Sequence, residues 1–160
     1  MALVDAADLY THVETGRLAS ASMILAEATS VDAFLEAVAP AVRQSDARAL
    51  IGLMSRLTGE PPLMWGPSII GFGAARLRYD SGRQVDVPVL CFSPRKAAQS
   101  IYLTDGTAAH TDLLARLGRH RAVTGCLYVT RLADVDLSVL EKILARSRDA
   151  TRERDVTTRD

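Results

Sequence analysis

The chain has 160 residues, 48% of them hydrophobic and 24% charged, and its 19 basic side chains balance its 19 acidic ones. That length supports one domain with a single sizeable core, and that composition excludes a wholly disordered chain. With no net charge there is no global field to draw in nucleic acid or an anionic membrane, so neither is expected as a partner.

Nothing in the sequence approaches the roughly 20 apolar residues needed to span a bilayer. The start lacks the basic stretch and apolar block of a secretory signal, so the cytoplasm is the expected location. Cys91 and Cys126 both lie in apolar runs and belong to no Cys-x-x-Cys pair. They are expected to be buried free thiols.

Residues 1 to 27 read as an N-terminal extension, because Leu3, Leu9, Tyr10 and Val13 are interrupted by Gly16, Ser20 and Ser22. Met23, just before the better patterned segment, is an alternative translation start on this reading. A helix is expected from Ser30, with Asp32 near its positive end and Val31, Phe34, Leu35, Val38 and Val42 on one face, disturbed by Pro40. Ser45 or Asp46 is expected to cap a second helix carrying Leu50, Ile51, Leu53, Met54 and Leu57, stopped by Gly59 and Pro61-Pro62.

From Ser68 onward the residues become β-branched and aromatic between glycines. Ala75 to Asp80 alternates Arg76 and Arg78 with Leu77 and Tyr79, which predicts a strand with one wet face. A turn at Asp80-Ser81-Gly82-Arg83 leads to the apolar run Val85 to Phe92, in which Pro88 argues for an edge or a strand start. Further strands are expected at 100–103 and 126–129, with a helix at 111–117 ended by Gly118. Asp136 or Ser138 is expected to cap a last helix with Leu137, Leu140, Ile143 and Leu144. The chain from Arg146 on reads as a charged tail, which sets the tail at 147–160 and the domain at 28–146. The fold expected is α+β, an antiparallel sheet of four to five strands covered by N-terminal and C-terminal helices.

Chemistry is sparse. His12, His110 and His120 show no i, i+4 pair for a metal, and there is no Gly-x-Ser-x-Gly turn. Gly71-Phe72-Gly73 leads into a strand rather than a helix, so its glycines are expected to serve packing. Asp32 and Glu36 stand one helical turn apart and with Asp46 could offer oxygens to a hard cation; a solvated helix face is the simpler explanation, since such carboxylates are commonplace. The single Trp sits in Met64-Trp65-Gly66-Pro67-Ser68, a bend where it can clamp the core or stack on a ligand. Ser93-Pro94-Arg95-Lys96 is expected to present two cations from a turn. Trp65, Ser68, Arg95 and Lys96 are therefore the expected binding residues, for a small anionic ligand or an acidic partner. No nucleophile, base and orienting group can be named together, and no cofactor is expected.

The stretches Leu57-Thr58-Gly59-Glu60-Pro61-Pro62, Met64 to Gly73, Ser81-Gly82-Arg83, Phe92-Ser93-Pro94-Arg95-Lys96, Cys126 to Val129 and Arg131 to Leu137 resemble the YdhG-like domain family. These are small bacterial proteins of undetermined activity, and the likeness covers about positions 28 to 144. This chain has Ala75 and Arg76 where the family usually carries aromatic residues or histidine, and Val87 where a Trp is often found. The resemblance implies a small antiparallel sheet covered by helices. Because no nucleophile, base and orienting group can be named together, a ligand-binding or accessory module rather than an enzyme is expected. Some relatives are described as frataxin-like iron chaperones. On that second reading Asp32, Glu36 and Asp46 would bind iron.

Overall fold

The computed structural model describes residues 30–157. The expectations for the extension at 1–27, for Met23 and for His12 lie outside the described residues.

Ser30–Glu36 forms α1 and Ala41–Thr58 forms α2. Between them the Ala39–Pro40 peptide is cis, and Pro40 stands at the N-cap of α2 with φ −70° and extended ψ. A proline there removes no helical hydrogen bond, since the first amides of a helix have no intrahelical acceptor. The stripe that begins at Val31 is thus divided between two helices, and α2 starts at Ala41, ahead of the expected caps Ser45 and Asp46. Gly59 closes α2 as expected, in the left-handed region at φ 73°.

Six antiparallel strands form the main sheet: β1 (Pro62–Met64), β2 (Ile70–Phe72), β5 (Leu90–Pro94), β6 (Gln99–Tyr102), β7 (Arg121–Val123) and β8 (Cys126–Val129), in the order β1-β2-β5-β6-β8-β7. β3 (Ala75–Arg78) and β4 (Gln84–Val87) pair only with each other. Their register continues that of β2 and β5, because Phe72 faces Leu90 and Ala75 faces Val87, three residues further along on each side. One ribbon is therefore folded over at Gly73, where φ is 69°, and Pro88. The run from Val85 to Phe92, expected as one strand, is divided there between two sheets. Pro88 has no amide to donate, which suits it to the fold point.

A 3-10 turn at Thr107–His110 leads into α3 (Thr111–Leu117), and α4 covers Leu137–Arg154. The Asp136 carboxylate caps α4, accepting from the amides of Ser138 at 2.9 Å and Val139 at 3.3 Å. Asp136→Ala is expected to lower the thermal midpoint by about 3 °C while Asp136→Ser restores most of it. Equal midpoints for all three proteins in a melting experiment would remove the cap from the account.

Residues 146–154, expected as part of a tail, are the last turns of α4. Ser147 and Thr151 are fully buried there, while Arg148 and Arg152 donate to the carbonyls of Leu57 and Thr58 at the end of α2, each at 2.8 Å. Beyond the helix, Val156 N–H donates to the Arg76 carbonyl at 2.9 Å, tying the segment to β3.

All four helices pack on one face of the main sheet. Val31 and Leu35, Ala47, Leu50 and Met54, Leu113 and Leu117, and Val139, Leu140, Ile143 and Leu144 join the sheet residues Ile70, Phe72, Leu90, Phe92, Ile101, Leu127 and Val129 in one core. The hairpin has a smaller core of Ala75, Leu77, Val85, Val87 and Val89. None of the described helices is long and apolar enough to cross a membrane.

Candidate functional site

Side chains alternate between the faces of a strand, so the partners of the core residues lie on the sheet's second face. Gly71, Cys91, Tyr102 and Cys126 form one row across it. Ser93, Ser100, Tyr128 and Arg121 form the next. Ile69, Cys91, Tyr102 and Cys126 cluster there with Trp65 and Tyr128, and no described helix contributes to the cluster. Both cysteines are buried and unpaired, as expected, with Tyr102 between them in the row. Burial pushes the Cys91 thiol up, and Cys126 adds to the effect.

Trp65 leaves β1 and donates its backbone amide to the Ile69 carbonyl at 2.9 Å, closing the turn to β2. A Cβ on Gly71 would stand 2.4 Å from Trp65 Cδ1 and 2.9 Å from Pro88 Cβ. The indole therefore lies directly on the glycine, and the strand needs Gly71 to admit it. Ser68 takes part through its carbonyl, which accepts from Ser93 Oγ at 2.6 Å. Arg95 is half-buried on the hairpin between β5 and β6, beside the Tyr102 phenol. Burial raises the Tyr102 hydroxyl, and the neighbouring guanidinium opposes that in part.

Lys96 departs from this group. It is exposed and lines a separate cavity of about 710 Å³ with Phe34, Val38, Pro40 and Pro94, against the bend between α1 and α2. The structure thus gathers Trp65, Ser68 and Arg95 on one side and sends Lys96 to another. Trp65 Nε1, Tyr102 Oη and Arg95 Nε are buried on the gathered side with no partner in hydrogen-bond geometry among the described residues, although the Arg95 guanidinium stands close enough to the Tyr102 phenol to act on it. Such groups are uncommon in folded proteins and expensive to leave unpaired. Tyr102 and Tyr128 were not singled out from the sequence. Both stand in short apolar runs, and only the strand register shows Tyr102 between Cys91 and Cys126 and Tyr128 opposite Ser100.

The carboxylates proposed for iron are not assembled. Asp32 is exposed and lies 3.5 Å from Arg48, whereas Asp46 accepts the Leu132 amide at 3.0 Å and so holds the chain after β8. Glu36 is exposed on α1. Among the described residues no group of three or more His, Cys, Asp and Glu could hold a metal ion.

A second polar cluster lies in the core. His110 is fully buried with Nε2 2.8 Å from Asp105 Oδ2, and Asp105 Oδ1 accepts from Ser147 Oγ at 2.8 Å. The His110 contact falls outside hydrogen-bond angles. Its distance weighs more than its angle, because no other acceptor serves that ring among the described residues. Burial acts to raise the Asp105 carboxyl, but the contacts from His110 and Ser147 outweigh it and hold the group below the usual range. The carboxylate stands between the imidazole and the hydroxyl, so the imidazole has no nucleophile to activate. This cluster ties the 3-10 turn to α4.

No known protein family matches the chain, and no curated protein or solved structure matches it either.

Proposed function

We propose that this chain is a YdhG-like domain acting as a binding or accessory module for an anionic group, and not as an enzyme. The observation that carries the reading is the buried Trp65 Nε1, with no partner among the described residues, on the sheet face where the Arg95 guanidinium stands beside the Tyr102 phenol. The indole and the guanidinium can only donate, so the complementary ligand is rich in acceptors, as a carboxylate or a phosphate is. The stretches that carry the family resemblance supply the same face: Trp65, Gly71, Ser93, Arg95, Cys126 and Tyr128 all belong to them. No nucleophile and base meet in this face, which supports a binding role over a catalytic one.

A thermal-shift panel of carboxylate and phosphate metabolites tests this. A ligand that binds only the folded chain raises its midpoint, and at a hundred times its dissociation constant it adds about 2.7 kcal/mol. The expected result is a shift with at least one anion that falls several-fold in Arg95→Gln. No shift with any anion, or turnover of a compound that binds, would overturn the reading.

A further inference from the structure

The second face does not end at Arg121. Following the same register past the strand ends, by one residue on β6 and β8 and by two on β7, brings Ala98, Thr130 and Arg119 into a third row, beside the row of Ser100, Tyr128 and Arg121. Ala98, Arg119, His120, Arg121, Tyr128 and Thr130 line a cavity of about 280 Å³ there. We propose that this cavity is a site for a phosphate group, free or carried on a small organic molecule. None of Trp65, Tyr102 and Arg95 lines this cavity, so the proposal goes beyond the reading above and adds a second anion site to it.

Four observations support it. First, Arg119 and Arg121 are exposed cations on and beside β7, and no ion pair to a carboxylate is found for either among the described residues. Second, the Arg121 guanidinium is held 4.4 Å from the centre of the Tyr128 ring. A stacked guanidinium keeps its N–H groups free at the edge for a bidentate acceptor while losing little freedom on binding. Third, the His120 ring is fixed by a 2.8 Å contact from Nδ1 to the Gly118 carbonyl, so a third nitrogen-bearing group borders the cavity in a set orientation. Fourth, the cavity holds no carboxylate in its lining.

Two guanidinium groups and the Thr130 hydroxyl offer more donors than one carboxylate can accept from. A tetrahedral dianion with three terminal oxygens uses them better. Two walls are apolar, Ala98 and the Tyr128 ring, which suits a small organic carrier on the phosphate. The neutral net charge of the chain supplies no long-range attraction for a polyanion, so a small ligand is the one that fits.

Isothermal titration of the full chain with inorganic phosphate, phenyl phosphate and acetate tests the site at constant ionic strength. Saturable phosphate binding is expected, with acetate weaker, and Arg119→Gln and Arg121→Gln each lowering phosphate affinity about tenfold. Lys142→Gln, an exposed change on α4, is the charge-matched control and is expected to leave binding unchanged. Phenyl phosphate binding tighter than phosphate assigns an organic carrier; equal or weaker binding assigns the free ion. Phosphate binding that is absent, or that both arginine variants leave intact, overturns the site. If carboxylates then still raise the midpoint in an Arg95-dependent way, the broader anion reading stands and only this assignment falls. If no anion binds at all, both fall.

Discussion

Gly118→Ala is expected to be the most damaging single substitution at an exposed position, costing roughly 4 kcal/mol of stability. Gly118 ends α3 with φ 106°, a region that residues with a Cβ rarely enter. A Cβ there would stand 2.5 Å from the Asp134 carbonyl oxygen and 3.3 Å from Val135 Cα. Both neighbours are backbone, so neither can swing aside as the tip of a flexible side chain would. The contact is also structural on both sides: Gly118 bridges to Val135, and the Asp136 amide donates to the Leu117 carbonyl at 2.8 Å. Pushing these apart separates the end of α3 from the lead into α4 and displaces Arg119, His120 and Arg121, which follow directly. Gly52 is the comparison, an exposed glycine in α2 with nothing within 4 Å of an added Cβ. Gly52→Ala is expected to add about 0.5–1 kcal/mol, because alanine favours the helix and reduces the freedom of the unfolded chain. Urea denaturation of both variants measures the contrast. A Gly118→Ala chain as stable as Gly52→Ala would show that the α3–α4 junction does not need the glycine.

The fold class was legible wherever periodicity and punctuation agreed. Gly59 and Asp136 ended and began helices at the expected places, and the alternation of Arg76, Leu77 and Arg78 named the right strand. What escaped had no such signal. β1 and β7 are three residues each, too short for a period, and β7 is exposed throughout, so no apolar alternation marks it. The end of α4 buries Ser147 and Thr151 rather than apolar residues. Their hydroxyls are paired, Thr151 Oγ1 donating to the Ser147 carbonyl at 2.9 Å, so a buried helical face reads as a polar tail.

The site was legible in part for a related reason. Trp65, Ser68 and Arg95 were drawn together by their places in turns, and the structure places them on one side of the sheet. Arg95 opens the turn after β5, its amide donating to the Ala98 carbonyl, and Lys96 lies in the bend that follows, so the two side chains part at the turn. Tyr102, Tyr128 and Arg121 join the face through pairings across β6, β8 and β7, and long-range register is not written in any local pattern.

Asp105 was given no role by its sequence context, yet Asp105→Ala is expected to cost roughly 3 kcal/mol, because it strips a fully buried imidazole of its one close acceptor. Asp105→Asn preserves the shape and an acceptor oxygen while removing the charge, so it isolates the electrostatic part. In the folded chain the Asp105 carboxyl is held below its usual range by His110 and Ser147, in spite of its burial. Its unfolded value is about 4. A depressed folded pKa means that the unfolded chain binds the proton more readily, so the stabilisation is whole above about pH 4 and is lost as pH falls through the folded value. The stability gap between the wild-type chain and Asp105→Asn is therefore expected to hold steady from about pH 7 to about pH 5 and to narrow below about pH 4. Urea denaturation at a series of pH values gives the gap directly. A gap that widens on acidification would mean that the carboxyl is protonated in the folded chain at neutral pH, and that the His110 contact is between neutral groups.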